Sequence, residues 1–569
     1  MADTHCRSRA PLRFSHEPIL TALGFGPTQP EFRAHFAPAA ALAVAFALLP
    51  FCLLLPIDAD RSLPLLLVPA VALGWKISRP AAPVLLSLIA WALGAILIAT
   101  AFADHTARAL VMASAVVWVI AGGMTARNLA PCPAAVRLVL GGIALGAACG
   151  LGLVAGGVGL AYMDFPLYWG PRVFGMHQFA GAMAALALLR LVHPRRWITV
   201  LLAILALALL TGLATSNSRA GLVGLAVALG FWFWRGHPDD RKFLLLRVAP
   251  LTATALGIAY FIGQPFTGMG LESAVVRTAN ATSIEGISSA RSYFWSVVWE
   301  QVKNSPWIGH GADAYQYIQP RLHGAQPHNV VLQWLYEYGI VGTLPLCLLL
   351  VAALAAGFRR HPPAEEQNRS FQLWAAAAVA GAAGFGLFDG AFYHMVIFMP
   401  ASVFVGFALG ANPAGTRSVV GTHKILRPIL LIALVVLFVH VWLGLMLLRA
   451  PNVTPDSPAA RVLQAFPSTT HGLGSRIKSW EKTHPEVVMN WITWAQTASN
   501  QQPEFHLAAL QIHFNHRDFI AAEKELLALR RKVSVVELPD VERLLIEITP
   551  KARAQTAATP KTAPPPSTP

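Results

Sequence analysis

The sequence predicts an all-α, polytopic integral membrane protein of about 12–13 transmembrane helices, with one large external loop and a helical C-terminal region. Three observations carry that prediction. The 569 residues are 55% hydrophobic and only 12% charged, against about 25% charged in a typical soluble domain. Mean hydropathy is +0.53. Apolar runs near the length a bilayer core demands, roughly 20 residues, recur throughout the first 450 positions.

Residues 1–36 form a polar tail carrying Arg7, Arg9, Arg13 and Arg33, too long and too mixed for a cleavable signal peptide. Spans are expected near 37–57, 62–75, 81–102, 107–124, 138–157, 173–191, 197–214, 218–234, 244–263, 330–357, 371–388, 391–411 and 428–448. The second is short and holds Pro64 and Pro69. The basic residues test this assignment. Lys76 and Arg79, Arg127 and Arg137, Arg190, Arg195 and Arg196, Arg235, Arg241, Lys242 and Arg247, Arg359, Arg360 and Arg369, and Arg417, Lys424 and Arg427 all fall on one set of alternating connections. The opposite short loops carry Asp58, Asp60, Asp104 and Asp164 with Arg61 as their basic residue. The positive-inside rule then places the N-terminus in the cytoplasm and the C-terminus outside.

The chain divides into the tail 1–36, a transmembrane domain 37–449 with an external loop at 264–329, a helical external region 450–550 and an Ala-, Pro- and Thr-rich tail 551–569 expected to be disordered. Within the third part, 501–532 shows helical spacing of Leu507, Leu510, Phe519, Ala522 and Leu526, with a turn expected at Asn515–Arg517. The formal charge of +15 is dispersed between apolar runs rather than gathered in a stripe, so it argues for membrane orientation and against nucleic acid. The five cysteines show no metal-ligand spacing. No GxxxxGK[ST] loop is present, and no Asp pair is grouped to hold Mg²⁺ on a diphosphate.

Five polar groups fall at the external ends of spans or in the long loop: Arg172, Arg219, Arg291, His328 and Asp389. Arginine stays charged in a poor dielectric and its planar fork matches phosphate oxygens. Several arginines at one membrane surface with little acidic counter-charge want an anion, and a histidine beside them can accept a proton near neutral pH. Each residue also has a purely structural use. Arg219 suits a headgroup anchor, Arg291 the solvated face of a helix burying Phe294 and Val298, Asn329 a helix cap beside His328, and Asp389-Gly390 a turn.

The ordered set Ser-Arg-Ala-Gly at 218–221, Arg-x3-Trp at 291–295, Pro-Trp-Ile-Gly-His-Gly at 306–311 and His-Asn-x2-Leu-x4-Glu-x-Gly-x2-Gly at 328–342 resembles the O-antigen ligase (Wzy_C) superfamily. Its members include polysaccharide ligases, O-antigen polymerases and protein O-oligosaccharyltransferases. The resemblance implies a multi-pass protein of the bacterial inner membrane, its active site facing the periplasm. It implies an undecaprenyl-diphosphate-linked glycan donor and an acceptor hydroxyl on lipid A–core, a glycan or a protein. It assigns Arg219 and Arg291 to the diphosphate and His328 to acceptor activation, and places Arg172, Glu337 and Asp389 with the two arginines as substrate-binding residues. Met176-His177-Gln178 and Asp389 depart from the Pro-Asn-His run and the glutamate usual in protein-glycosylating members.

With arginine in place of a metal, the implied chemistry is a metal-independent, inverting transfer without a cofactor. Ligation to lipid A–core leads the expectations, with polymerase and protein O-oligosaccharyltransferase as alternatives inside the family. A polysaccharide transporter or flippase is the alternative outside it; that class places its polar groups at the bilayer midplane in two related halves. His323 is the nearest competitor to His328 but lies outside the motif.

Overall fold

Ala, Leu, Val and Gly fill the apolar runs, and in a hydrocarbon medium a single chain satisfies its backbone groups most simply as helix. In the computed structural model every regular element among the described residues is helical. The structure describes residues 30–53, 63–74, 83–103, 106–156, 171–191, 196–216, 218–261, 291–318, 326–359, 366–410, 485–498, 503–530 and 538–558.

In chain order the membrane part comprises α1 (Pro30–Cys52), a short 3-10 turn (Leu63–Leu67) running into α2 (Val68–Gly74), α3 (Pro83–Ala101), α4 (Thr106–Leu129), α5 (Pro133–Ala155), α6 (Pro171–Leu191), α7 (Arg196–Thr215) and α8 (Arg219–Arg235). It continues with α9 (Pro238–Phe261), α10 (Arg291–Val302), α11 (Val330–Ala356), α12 (Glu366–Gly386) and α13 (Met395–Gly410). Eight of these helices are long and apolar enough to cross a membrane, and Leu63–Gly74 and Met395–Gly410 are shorter apolar helices. Each of the first twelve expected spans corresponds to a helix; the thirteenth, 428–448, lies outside the described residues. The first helix starts earlier than expected, at Pro30, since proline at a first helical position sacrifices no hydrogen bond. The polar stretch before 244 is helical too: Pro238 opens α9, and Asp239 and Asp240 in its first turn complement the helix dipole.

The helix α6 lies at the centre, with 94% of its span buried, whereas α3 and α9, each 28% buried, line the periphery. Polar side chains inside the bundle are matched to backbone carbonyls. Gln178 donates to Ala147 O (3.0 Å), joining α6 to α5, and the Trp374 indole donates to Met183 O (3.0 Å), joining α12 to α6. Where α5 crosses α1, Gly142 and Gly146 abut the backbone of Ala43 and Phe46, the small-xxx-small approach that dispersion between membrane helices favours.

The two ends of the bundle differ chemically. Since α6 runs from Arg172 to Arg190 and α8 from Arg219 to Arg235, Arg172 and Arg219 stand at the opposite end from Arg190 and Arg235. At the Arg190 end, Asp240 is buried and accepts from Arg190 Nε (2.9 Å) and Ser370 Oγ (2.7 Å), pinning α6, α9 and α12 together.

The C-terminal helices are α14 (Pro485–Ala498), α15 (Pro503–Asn515), α16 (Phe519–Arg530) and α17 (Leu538–Ala558). They pack in sequence, each on the next, around Leu510, Ala522, Leu526, Leu529, Val541, Leu545 and Ile548. The expected turn holds: α15 ends at Asn515 and Arg517 takes a left-handed conformation (φ 58°). The expected disordered tail is corrected. Helix α17 continues through Ala558, because Ala552 is buried and extends the stripe Val541, Leu545, Ile548; residues 559–569 lie outside the described set.

Candidate active site

The site begins with a broken helix. Gly339, at φ 60° and ψ −170°, interrupts α11, freeing carbonyls before the break and amides after it. The Pro306–Gly311 segment takes up both sets. His310 N and Gly311 N donate to Tyr336 O and Glu337 O (both 2.8 Å), while Ile340 N and Val341 N donate to Pro306 O (2.8 Å) and Trp307 O (3.1 Å). Gly309 also has a positive φ (69°), and a Cβ there would strike the Glu337 backbone, as one on Gly339 would strike that of Trp307. The two glycine motifs are therefore halves of one backbone clasp.

This clasp seats α10 on the first half of α11. Phe294, Val298 and Val302 of α10 form a small core with Tyr315, Ile318 and Tyr336. Arg291, opening α10, is thereby brought to the start of α11. The Trp295 indole donates to Pro327 O (2.9 Å), which gives the Arg-x3-Trp spacing a physical meaning: one turn beyond the arginine, the tryptophan grips the segment preceding His328.

His328 sits at the entrance of α11 in the left-handed region (φ 56°), a conformation rare for a side-chain-bearing residue and held only where surroundings enforce it. Asn329 caps the helix, its Oδ1 accepting from Leu332 N (3.1 Å). The His328 ring meets Asp389 from the turn between α12 and α13, with Nδ1 2.7 Å from Oδ1. Asp389 is 1% exposed, and its Oδ1 also accepts from Gly390 N (2.9 Å), so the expected Asp-Gly turn is present and carries a second task.

Arg291 Nη2 lies 3.9 Å from Asp389 Oδ2, an oxygen that is buried and has no hydrogen-bond donor among the described residues. Burial raises the Asp389 carboxyl, but the charge and hydrogen bond of His328, then Arg172 and Arg291, outweigh it and hold the group well below the usual carboxylate range. An ionised carboxylate only accepts, so His328 donates through Nδ1–H, and Nε2 is the ring nitrogen left outside this pair. Burial lowers the Arg291 guanidinium, Asp389 opposes the shift, and Arg172 and Arg219 add to it. Arg172 and Arg291 thus face one carboxylate while Arg172 and Arg219 repel Arg291, so Arg291 gains from an incoming anion.

Asp389 makes a first test. A folded pKa below the unfolded one stabilises fully above about pH 4 and loses that contribution as pH falls further. The stability gap between wild type and Asp389→Asn in detergent is expected to hold from about pH 8 to about 5 and to narrow only below about 4. A gap that already closes between about pH 7 and 5 contradicts an ionised Asp389.

The expected residues are not all gathered here. His328, Arg291, Asp389, Arg172 and Arg219 converge, while Glu337 lies on α11 beside the clasp. It is 1% exposed, its carboxylate accepts from Gln333 Nε2 (3.1 Å), and its carbonyl belongs to the clasp, so its surroundings suit a role in shaping the helix break rather than in touching substrate. Asp389, also expected to touch substrate, is turned toward His328 and Arg291. His323 lies outside the described residues. Sequence reasoning missed Gln326 and His394, which pair at 2.9 Å, and Asp313, which accepts from the Tyr393 hydroxyl at 2.8 Å; no spacing rule linked residues so far apart.

Comparison with known proteins bears on this cluster. Residues 203–347 match the Wzy_C family model, described as O-Antigen ligase. The matched stretch is similar to the domain that this model describes. It covers α7 through the break in α11 and contains Arg219, Arg291, His328 and Glu337, while Arg172 and Asp389 flank it. An O-antigen ligase of Pseudomonas aeruginosa is 34% identical over 160 residues, which is 28% of this chain and 34% of that protein. The chain therefore aligns with about a third of that O-antigen ligase.

Beside the site, an apolar cleft runs between α3, α4, α11 and α13. Trp334 and Phe392, 5.6 Å apart, bound it at the His328 end; Leu346, Phe398 and Val405 line its length, and Arg127 closes the far end.

Proposed function

We propose that this protein is an O-antigen ligase of the bacterial inner membrane. It transfers glycan from a polyprenyl-diphosphate donor, undecaprenyl diphosphate being the carrier the family resemblance implies, to a hydroxyl on the periplasmic face. Lipid A–core is the acceptor we favour, given the O-antigen ligase similarity. The observation that carries the reading is the His328–Asp389 pair beside Arg172, Arg219 and Arg291, a proton acceptor next to an anion site at one end of the bundle.

The geometry supports a single displacement. The acceptor hydroxyl attacks the anomeric carbon of the donor's first sugar and passes its proton to His328 Nε2. Asp389 fixes the tautomer and balances the imidazolium that forms. The bond from the anomeric carbon to the diphosphate oxygen breaks, and the electron pair leaves with the polyprenyl diphosphate. Arg291, with Arg219 and Arg172, stabilises that developing charge, so the step needs no divalent ion. One displacement inverts the anomeric configuration. The apolar cleft beside Trp334 and Phe392 offers the isoprenoid tail a path into the bilayer.

A protein hydroxyl as acceptor is a second reading, favoured by α14–α17: helices each packed on the next in sequence make extended surfaces suited to peptides. Deletion separates the cases. Loss of all polymer from lipid A–core with lipid-linked glycan accumulating is the expected result; a single repeat left on the core indicates a polymerase, and an unglycosylated exported protein indicates protein transfer. No change in any glycan product overturns the proposal. Orientation is tested by alkaline phosphatase fusions, expected active near positions 300 and 500 and inactive near 240, following the basic alternation. The reverse pattern places the site in the wrong compartment.

A further inference from the structure

We propose that His394 is a positioning residue for His328, acting through Gln326. The inference deepens the transfer mechanism above and rests on it. Three consecutive residues, Gln326, Pro327 and His328, are each held by a different partner. The Gln326 side-chain amide N–H donates to His394 Nε2 at 2.9 Å, Trp295 holds Pro327 O at 2.9 Å, and Asp389 holds His328 Nδ1 at 2.7 Å.

The need for such anchoring is local and physical. A left-handed histidine persists only when its neighbours over-determine it, and His328 has φ 56°. Asn329 fixes the segment from its C-terminal side through the helix cap. On the N-terminal side, Gln326 and His394 are each 6% exposed, so their hydrogen bond is made away from water and its loss leaves buried polar groups unmatched.

The turn before α13 presents both partners at once. Asp389 folds its oxygen onto Gly390 N, and His394 N donates to Gly390 O (3.2 Å), so Asp389 and His394 belong to one compact unit. Gly390 lies where the Gln326 amide needs room: a Cβ added there would collide with that amide. The unit therefore holds the histidine twice, directly at its ring by Asp389 and two residues earlier by His394. The sequence Asp-Gly-Ala-Phe-Tyr-His at 389–394 then has a purpose at both ends and at its glycine.

The test uses purified full-length protein in detergent. His394→Ala is expected to lower transfer kcat by about 10- to 100-fold with donor KM within about twofold, the signature of a misplaced base. His394→Gln, able to hydrogen-bond Gln326, is expected to recover much of the loss, and Gly390→Ala to reproduce it. In a His328→Ala background, His394→Ala is expected to add no further loss, because its effect runs through the missing ring. A second readout needs no turnover: acylation of His328 by diethyl pyrocarbonate, followed by peptide mass spectrometry, is expected to quicken by about threefold or more in His394→Ala.

Wild-type kcat and an unchanged His328 acylation rate in His394→Ala overturn the proposal, as does an equal kcat loss in the His328→Ala background. Full transfer by His328→Ala instead overturns the transfer mechanism itself, and the positioning role falls with it.

Discussion

His328→Ala is expected to lower transfer kcat by about 10²- to 10⁴-fold while leaving donor binding within about twofold, the range that removal of a general base produces. The expectation follows from geometry more than from residue type. The Nδ1–H is committed to Asp389 at 2.7 Å, leaving Nε2 as the ring nitrogen that can meet an acceptor hydroxyl. The ring is only partly buried, 17% exposed at its side chain, so Nε2 remains approachable. Alanine also tolerates the left-handed backbone no better than histidine, so thermal stability is measured alongside. A variant that binds donor, melts like wild type and does not transfer supports the role. Wild-type transfer removes it, and lost donor binding in a folded variant moves His328 into the diphosphate site.

The second large effect is expected at Arg291. Arg291→Lys keeps a positive charge but loses the planar fork, and kcat is expected to fall about 10²-fold, as when one preorganised donor to a developing anion is removed. Arg291 is held only loosely by Asp389, at 3.9 Å, so its fork remains available to phosphate oxygens. It is 13% exposed, and lysine's strongly hydrated ammonium would sit poorly at such a site. Arg219→Lys is expected to act in the same direction. Transfer at the wild-type rate by both variants contradicts bidentate diphosphate recognition.

Much of this was legible in the sequence, for identifiable reasons. Apolar runs at bilayer length are imposed by the medium, so positions such as 330–357 for Val330–Ala356 follow from hydropathy alone. The five polar residues that converge were visible because four stand at span ends and Arg291 opens an apolar stretch in the long loop. What was not legible is pairing across distance. Asp389 is 61 positions from His328, and only the packing of α11 against α12 and α13 brings them together. The same holds for Gln326 and His394, and for the clasp between 306–311 and Gly339. There the glycines were visible but their mutual hydrogen bonds were not. The surroundings of Glu337 were not legible either, because its motif position says nothing of the direction it faces. The helical extension of α17 past 551 was missed because alanine at 552 carries little hydropathy signal until Val541, Leu545 and Ile548 are known to be buried with it.

The central claim is that this bundle breaks a glycosyl–diphosphate bond at an arginine-lined site. The most direct measurement supplies the purified protein in EDTA with a synthetic polyprenyl-diphosphate oligosaccharide and lipid A–core. Free polyprenyl diphosphate and transferred glycan are then counted together. Release equal to transfer, undiminished by EDTA and absent with His328→Ala, is the expected result. Release dependent on a divalent ion, or no release by a folded wild-type protein that binds the donor, would contradict the account.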